Sequence, residues 1–195
     1  MRVQLTREQL VGVRAVSFDL DGTLYELPAM KRALRWLALR RAWRPLRTVS
    51  ELGRLLRARR GQEEARALGG DLSALPGQPG ALAELEARWW VPAIAAAGPR
   101  AGIPELLEGL SLLRLPLVVC SDHEGHAKLE ALGLLARFEA VYSAQGLGAL
   151  KPSPRVLEAA IEELGVAPGE LLHIGDREDT DGAAARAAGA RVWIL

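Results

Sequence analysis

Two aspartates at the end of an apolar segment constrain this chain more than any other feature. Residues 13–18 have the pattern of a buried β-strand, and residues 19–24 then read DLDGTL. Asp19 and Asp21 are two residues apart, so in an extended chain their carboxylates point to the same side. Two like charges this close repel, and one takes up a proton unless a cation holds both. Because Gly22 permits a sharp turn, we expect an α/β sheet with its chemistry at this strand end.

The composition indicates a folded protein with one main core. The chain has 195 residues, of which 49% are hydrophobic, enough for one domain or one core with a modest insertion. The first ten residues lack the apolar segment of a signal peptide, and no apolar run approaches the ~20 residues of a membrane span. Cys120 is the single cysteine and has no disulfide partner within the chain. We therefore expect a cytoplasmic protein that does not engage a membrane.

The hydrophobic pattern divides the chain into two parts. Residues 26–100 show helical spacing of apolar residues with no convincing strand. Apolar strands alternate with helices in the remainder, and this alternation is typical of a parallel sheet covered by helices on both faces. The strands are predicted at 13–18, 117–120, 140–142, 171–174 and 191–195. We predict a Rossmann-like α/β core formed by 1–25 and 101–195, with an all-helical cap at 26–100.

One segment carries most of the positive charge. Residues 31–60 hold eleven basic side chains and a single acid, Glu51, although the net charge of the whole chain is +1. Two interpretations stay open: a solvated helix face, or a field that attracts an anionic substrate toward the cap. We do not expect a nucleic-acid partner, because no known binding motif accompanies the charge.

Polar residues end three of the predicted strands. Asp19 and Asp21 follow the first, Ser121 ends the second, and Asp176 follows the fourth, with Asp181 five residues further on. The carboxyl ends of parallel strands lie along one edge of a sheet, so these side chains should gather in one crevice. Oxygen ligands without clustered histidine or cysteine favour a hard cation, and Mg²⁺ fits best.

The same crevice has the composition of a phosphoryl-transfer site. Lys151 is one of only three lysines in an arginine-rich chain, and its compact ammonium suits a place between phosphate and carboxylate. In such a site one carboxylate attacks phosphorus, and a second moves the proton of the leaving alcohol and of water. Mg²⁺ neutralises charge between the nucleophile and the phosphate, and a hydroxyl and the lysine hold the phosphate oxygens.

Four segments of the chain resemble, in the same order, the four sequence motifs of the haloacid dehalogenase superfamily. They are FDLDGTL at 18–24, Ser121, Lys151-Pro152, and Gly175-Asp176 with Asp181. The resemblance covers nearly the whole chain outside the predicted cap. It implies a helical cap, inserted after the first motif, that closes over the substrate.

The resemblance also implies a role for each motif residue. Asp19 would be the nucleophile, Asp21 the general acid and base, and Thr23 a supporting group at the substrate site. Ser121 and Lys151 would bind the phosphate.

The implied metal site uses four of the aspartates. Mg²⁺ would be held by Asp19, the backbone carbonyl of Asp21, and Asp176, with Asp181 stabilising the site from behind. One position departs from the pattern: many relatives carry asparagine after the serine of the second motif, and this chain has Asp122. A carboxylate there repels phosphate unless it turns away or is paired.

We therefore predict a Mg²⁺-dependent phosphatase that hydrolyses a small phosphorylated metabolite through an aspartyl-phosphate on Asp19. The alternatives are a phosphosugar mutase or a haloacid dehalogenase of the same superfamily, and a non-enzymatic phosphoacceptor or regulatory relative. Asp21 argues against a dehalogenase, since the resemblance to that group usually lacks an acid there. The sequence gives neither the particular substrate nor the oligomeric state.

Overall fold

Five parallel strands form one sheet in a computed structural model of the protein, which describes residues 5–41, 45–67 and 84–195. The strand order is β3-β2-β1-β4-β5, and every neighbouring pair is parallel. The strands are β1 (Ala15–Phe18), β2 (Leu117–Ser121), β3 (Ala140–Ser143), β4 (Leu171–Gly175) and β5 (Arg191–Ile194). This sheet confirms the predicted α/β fold.

Helices connect the strands and cover the sheet. They are α1 (Arg7–Leu10), α2 (Leu27–Arg40), α3 (Pro45–Ala67), α4 (Val91–Ala97), α5 (Ile103–Leu112), α6 (His126–Ala131), α7 (Arg155–Leu164) and α8 (Ala183–Ala187). π-Helical turns at Glu86–Trp90 and Glu178–Gly182 lead into α4 and α8, and short 3₁₀ turns lie at Leu135–Arg137, Gln145–Leu147 and Pro168–Glu170. None of the helices within the described residues has the length and apolar character needed to cross a bilayer.

One helix start differs from the sequence pattern. The pair Ser153-Pro154 is typical of an N-cap followed by proline at the first helical position. In the structure Pro154 is itself the N-cap residue and α7 begins at Arg155, so the predicted start was wrong by one residue. A proline side chain has no hydrogen-bonding group, so this helix start has no side-chain cap at its N-cap position.

The three central strands, β1, β2 and β4, are fully buried. Alternate strand residues face opposite sides of the sheet, and each side packs on a different apolar cluster. Val16 and Phe18 join an apolar cluster with residues of α5 and α6, whereas Ala15 joins a second cluster with residues of α7 and α8. Along β2, Val119 belongs to the first cluster and Val118 to the second. The three central strands therefore lie between two helical layers, and the site lies at their accessible carboxyl ends.

Between β1 and β2 the described elements are all helical. Their apolar side chains, including Met30, Leu55 and Trp89, belong to the same cluster that packs on the sheet. The buried Glu51 of α3 accepts a hydrogen bond from the Trp89 indole Nε1 at 2.9 Å, which fixes α3 against the turn before α4. A helical insertion is thus present, but the cap bounds of 26–100 stay a prediction, and residues 68–83 lie outside the described part.

Candidate active site

The turn after β1 begins at Asp19 and lies against β4. The Asp19 backbone N–H donates to the Ile174 carbonyl at 2.8 Å, and the residue is 6% exposed. Arg100, which follows α4, donates from Nε to the Thr23 carbonyl at 3.1 Å and from Nη2 to the Gly22 carbonyl. Sequence reasoning missed Arg100, because its partners are backbone carbonyls that no motif marks.

A small cleft opens at the carboxyl ends of the strands, with a volume of about 100 Å³. Among the described residues that line it, six carry carboxylates and three carry cations. The acids are Asp19, Asp21, Glu63, Asp122, Asp176 and Asp181, and the bases are Arg66, Lys151 and Arg177. The described lining therefore carries more negative than positive charge.

Lys151 lies at the centre of the acids. Its Nζ is 2.6 Å from Asp19 Oδ1 and 2.6 Å from Asp181 Oδ1, and it also donates to the Cys120 carbonyl at 3.2 Å. The Lys151 side chain is 1% exposed, so its charge is balanced by these carboxylates rather than by water. The structure thus places Lys151 among the acids of the cleft, and its phosphate-binding role stays a prediction.

The pKa values of this group reflect burial and mutual charge. Burial raises the pKa of Asp19 to about 8; the Lys151 ammonium opposes that rise, and the Asp181 carboxylate adds to it. Burial also acts to lower the pKa of Lys151, but the charges of Asp19 and Asp181 outweigh it and hold that pKa well above its usual value. Burial would raise the pKa of Asp181, yet the Lys151 charge and the His173 hydrogen bond keep it below its usual value. One ammonium therefore serves several acids, and a further cation is favoured.

Three of the acids are close enough to hold a metal ion together. Carboxylate oxygens of Asp19, Asp176 and Asp181 lie within 4.8 Å of one another. Gly22 makes this possible: its φ is +108°, and a Cβ at this position would be 2.3 Å from Asp176 Oδ2. An all-oxygen donor set of this kind fits a hard divalent cation such as Mg²⁺.

The loop after β4 is shaped around Asp181. Its Oδ2 accepts backbone N–H bonds from Asp176 at 3.3 Å and from Arg177 at 3.1 Å. Behind it, His173 Nε2 lies 3.4 Å from Asp181 Oδ1, and His173 Nδ1 lies 2.9 Å from Ser17 Oγ. His173 is fully buried, and burial lowers its pKa. Its ring therefore contacts Asp181 from the interior of the protein.

The Asp21 carboxylate lies apart from the three-acid cluster, although it lines the same cleft. Lys128 Nζ of α6 donates to both of its oxygens, at 2.9 and 2.7 Å, and the Tyr25 hydroxyl donates at 2.6 Å. Sequence reasoning missed both partners. Lys128 could have been singled out, since it is one of three lysines and lies on the helix that follows β2.

Thr23 and Ser121 occupy different places. Thr23 Oγ1 donates to Asp19 Oδ2 at 3.1 Å and so orients that carboxylate. Ser121 is fully buried at the end of β2, where its Oγ accepts the His123 backbone N–H at 3.3 Å. At this strand end the residue that lines the cleft is Asp122. The phosphate-binding role expected of Ser121 stays a prediction.

Asp122 is paired through both of its carboxylate oxygens. Its Oδ1 accepts the Lys151 backbone N–H at 2.8 Å. Its Oδ2 accepts from Arg66 of α3, at 3.2 Å from Nε and 2.6 Å from Nη2. Sequence reasoning missed Arg66, which lies outside the arginine-rich segment 31–60 and far from the motifs.

Comparisons with known proteins agree with this geometry. Residues 13–189 match the family model of haloacid dehalogenase-like hydrolases. The phosphoglycolate phosphatase of Rhodospirillum rubrum is 34% identical over 194 residues, with 93% of this chain and 79% of that protein covered. The phosphoglycolate phosphatase of Thiobacillus denitrificans is 30% identical over 191 residues, covering 94% and 83%.

A solved structure gives the same result in three dimensions. A HAD-family hydrolase from Deinococcus radiodurans, solved with bound phosphate and sodium, superposes with a TM-score of 0.61. It is 28% identical, and the match covers 94% of this chain and 81% of that one. The fold, the family-model match and the relatives agree with one another: this chain belongs to the haloacid dehalogenase-like hydrolases and is an enzyme of the phosphatase type.

Proposed function

We propose that this protein hydrolyses a small phosphomonoester through an aspartyl-phosphate on Asp19, with Mg²⁺ as cofactor. The observation that carries the proposal is the position of Lys151, whose Nζ lies 2.6 Å from both Asp19 and Asp181 within the cluster completed by Asp176. A buried nucleophilic carboxylate, an ammonium beside it and an oxygen donor set for a hard cation are the parts that phosphoryl transfer requires.

In the first half-reaction Asp19 attacks the phosphorus atom. A bond forms between an Asp19 carboxylate oxygen and phosphorus, and the bond from phosphorus to the alcohol oxygen breaks. Thr23 Oγ1, at 3.1 Å from Asp19 Oδ2, fixes the rotation of the attacking carboxylate. Asp21 takes up a proton from solvent before the first turnover and gives it to the departing alkoxide, so the alcohol leaves neutral.

In the second half-reaction water takes the place of the alcohol. Asp21, now a carboxylate, removes a proton from water, and the hydroxide oxygen attacks the phosphorus of the Asp19 ester. The bond between Asp19 and phosphorus breaks, inorganic phosphate forms, and both aspartates return to their starting states. Lys128 and Tyr25 hold Asp21 beside the cleft for both proton transfers.

The cation and the charged side chains divide the work of charge neutralisation. Asp19, Asp176 and Asp181, together with the Asp21 backbone carbonyl that the family resemblance implies, would hold Mg²⁺, which when bound neutralises negative charge between the nucleophile and the phosphate. The Lys151 ammonium also neutralises negative charge, and its Nζ already donates to Asp19 and Asp181. We propose that Ser121, which ends β2 next to the cleft residue Asp122, also binds the phosphate.

Phosphoglycolate is the first substrate to test. Two relatives that match more than nine-tenths of this chain are phosphoglycolate phosphatases, and the cleft of about 100 Å³ suits a small ester. We assign the helices of 26–100 to a cap over this cleft, because α3 contributes Glu63 and Arg66 to its lining. The cytoplasm is the expected location, since Cys120 is a buried free thiol.

A panel of phosphomonoesters with Mg²⁺, read as released inorganic phosphate, tests the proposal. The panel contains phosphoglycolate, phosphoserine, sugar phosphates and nucleotides, each with and without EDTA. We expect turnover of at least one small ester, its loss in EDTA, and its loss in Asp19→Asn. Full activity in Asp19→Asn would falsify the mechanism.

The same samples separate the alternatives. A mutase would give an isomerised sugar phosphate in place of free phosphate, and a dehalogenase would release halide from a haloacid. A phosphoacceptor domain would remain stably phosphorylated after treatment with acetyl phosphate. Any of these results without phosphate release would replace the proposed activity.

A further inference from the structure

We propose that Arg66 makes the cleft able to bind phosphate by neutralising Asp122, so that phosphate affinity depends on the position of helix α3. This inference rests on the proposed function, because it concerns the same phosphate site. Arg66 is a positioning residue in this scheme: it acts through Asp122 and not through its own contact with the phosphate.

The geometry of Asp122 gives the first reason. The residue is 8% exposed and lines the cleft beside Lys151. The hydrogen bond from the Lys151 backbone N–H to its Oδ1, at 2.8 Å, prevents the carboxylate from turning out toward solvent. A phosphate entering the cleft therefore meets a fixed negative charge unless another group balances it.

The pairing with Arg66 supplies that balance. Two N–H groups of the guanidinium donate to Asp122 Oδ2, at 3.2 and 2.6 Å. The side chains are 12% and 11% exposed, so water and salt screen this pair weakly. Lys151 cannot replace Arg66 at this carboxylate, because its ammonium is bound to Asp19 and Asp181.

Arg66 connects Asp122 to helix α3, so the pairing depends on where that helix lies. Glu63 lies one turn earlier and contacts both Arg66 and, at 3.5 Å, Arg177 of the loop after β4. The Glu63–Arg177 pair is largely exposed and contributes little by itself. The shielded Arg66–Asp122 pair is the stronger tie between α3 and the core. When α3 moves away from the sheet edge, Asp122 is left as an unpaired acid in the phosphate cleft.

A double-mutant cycle tests this coupling. Asp122→Asn removes the charge but keeps an oxygen that accepts the Lys151 N–H, and Arg66→Met keeps much of the apolar length of arginine. The readouts are the Kd of inorganic phosphate in Mg²⁺, measured by calorimetry, and kcat and KM for the best ester. We expect Arg66→Met alone to weaken phosphate binding at least about tenfold, since it leaves a buried charge without its partner.

The second arm of the cycle decides the outcome. In the Asp122→Asn background, Arg66→Met should change the Kd less than about threefold, because no charge remains to be neutralised. We expect the same pattern in KM, with kcat changed less than KM. Arg54→Met, which removes an exposed arginine of the same helix, is the matched control and should leave both constants unchanged.

Other results would overturn the inference. Equal losses from Arg66→Met in both backgrounds would show that Arg66 contacts the phosphate directly. No loss in either background would show that the pair has no part in binding, and a wild-type protein that binds no phosphate would also contradict it. Phosphate binding without hydrolysis of any ester would instead defeat the proposed function while leaving the cycle interpretable.

Discussion

Asp19 and Asp21 have the same side chain, lie two residues apart and have different surroundings. Asp19 is buried between Lys151 and Thr23 and faces the other acids. Asp21 is held by Lys128 and Tyr25, outside the cluster that Asp19 forms with Asp176 and Asp181. Paired carboxylates take different roles when their environments separate them, so this difference supports one nucleophile and one proton carrier.

Lys128→Met tests the placement of Asp21. Without the ammonium, the carboxylate loses the two bonds of 2.9 and 2.7 Å that fix it beside the cleft. We expect kcat to fall about 10- to 100-fold with a smaller change in KM, because misplacing a catalytic group costs rate more than binding. Steady-state kinetics measure this, and Lys31→Met, at an exposed lysine of α2, is the control. An unchanged kcat in Lys128→Met would show that Lys128 does not position Asp21 for the reaction.

Cys120 offers a test of how tightly the sheet end is closed. Burial raises the pKa of this thiol to about 12, so at pH 8 the native protein holds almost no thiolate. We expect a thiol reagent such as DTNB to react slowly with the folded protein and at once after unfolding in urea. The rate of colour formation measures this, and rapid labelling of the folded protein would contradict the buried position.

The turn that leaves β1 depends on a glycine for two separate reasons. Gly22 has a φ of +108°, which disfavours other residues, and its missing Cβ leaves room for the Asp176 carboxylate. The turn and the end of β4 therefore approach each other only because this position has no side chain. Arg100 then holds the same turn through two backbone carbonyls.

Gly22→Ala separates strain from the steric effect when compared with Gly98→Ala. Gly98 also has a positive φ, of +72°, but nothing lies within 4 Å of its Cβ position. We expect both changes to lower the free energy of unfolding by about 1–3 kcal/mol. Gly22→Ala alone should also reduce kcat/KM by at least about 100-fold, since it displaces Asp176. Urea unfolding and steady-state kinetics measure the two effects. Equal kcat/KM values in the two variants would show that the position of Asp176 does not matter for activity.

The strands followed from local pattern, whereas several details of the helices did not. The apolar run at 117–120 predicts β2, which the structure places at Leu117–Ser121, because a continuous apolar segment in such an alternation must be buried in the sheet. The predicted helix after Asp176 instead begins with a π-helical turn, Glu178–Gly182. That turn lets Asp181 accept the backbone N–H groups of its own loop, a tertiary demand that periodicity does not reveal.

Negative charge is concentrated at the carboxyl ends of the strands, where helix α3 approaches the sheet. The cleft lining combines carboxylates from the loops after β1, β2 and β4 with Glu63 of α3. Much of this charge is shielded from solvent, and mutual repulsion there opposes folding. A divalent cation at Asp19, Asp176 and Asp181 would relieve it, so cofactor binding and stability should be linked.

Thermal unfolding in Mg²⁺ and in EDTA measures this linkage. We expect Mg²⁺ to raise the free energy of unfolding, by about 2.7 kcal/mol at a hundredfold excess over its Kd, because it binds the native state. Asp176→Asn should abolish most of this gain. Asp179→Asn, which changes an exposed acid three residues further along the same loop, should retain it. A midpoint independent of Mg²⁺ in the wild type would argue against the proposed metal site.

Sequence was sufficient for the sheet and for the family, because apolar alternation and ordered motifs are local properties. Asp19, Lys151, Asp176 and Asp181 could be expected together, since parallel strands bring their carboxyl ends to one edge. Tertiary structure alone showed that Lys128 holds Asp21, that Arg66 pairs with Asp122, and that His173 backs Asp181. These contacts join residues 8 to 107 positions apart, and a charged side chain carries no local mark of which distant partner will balance it.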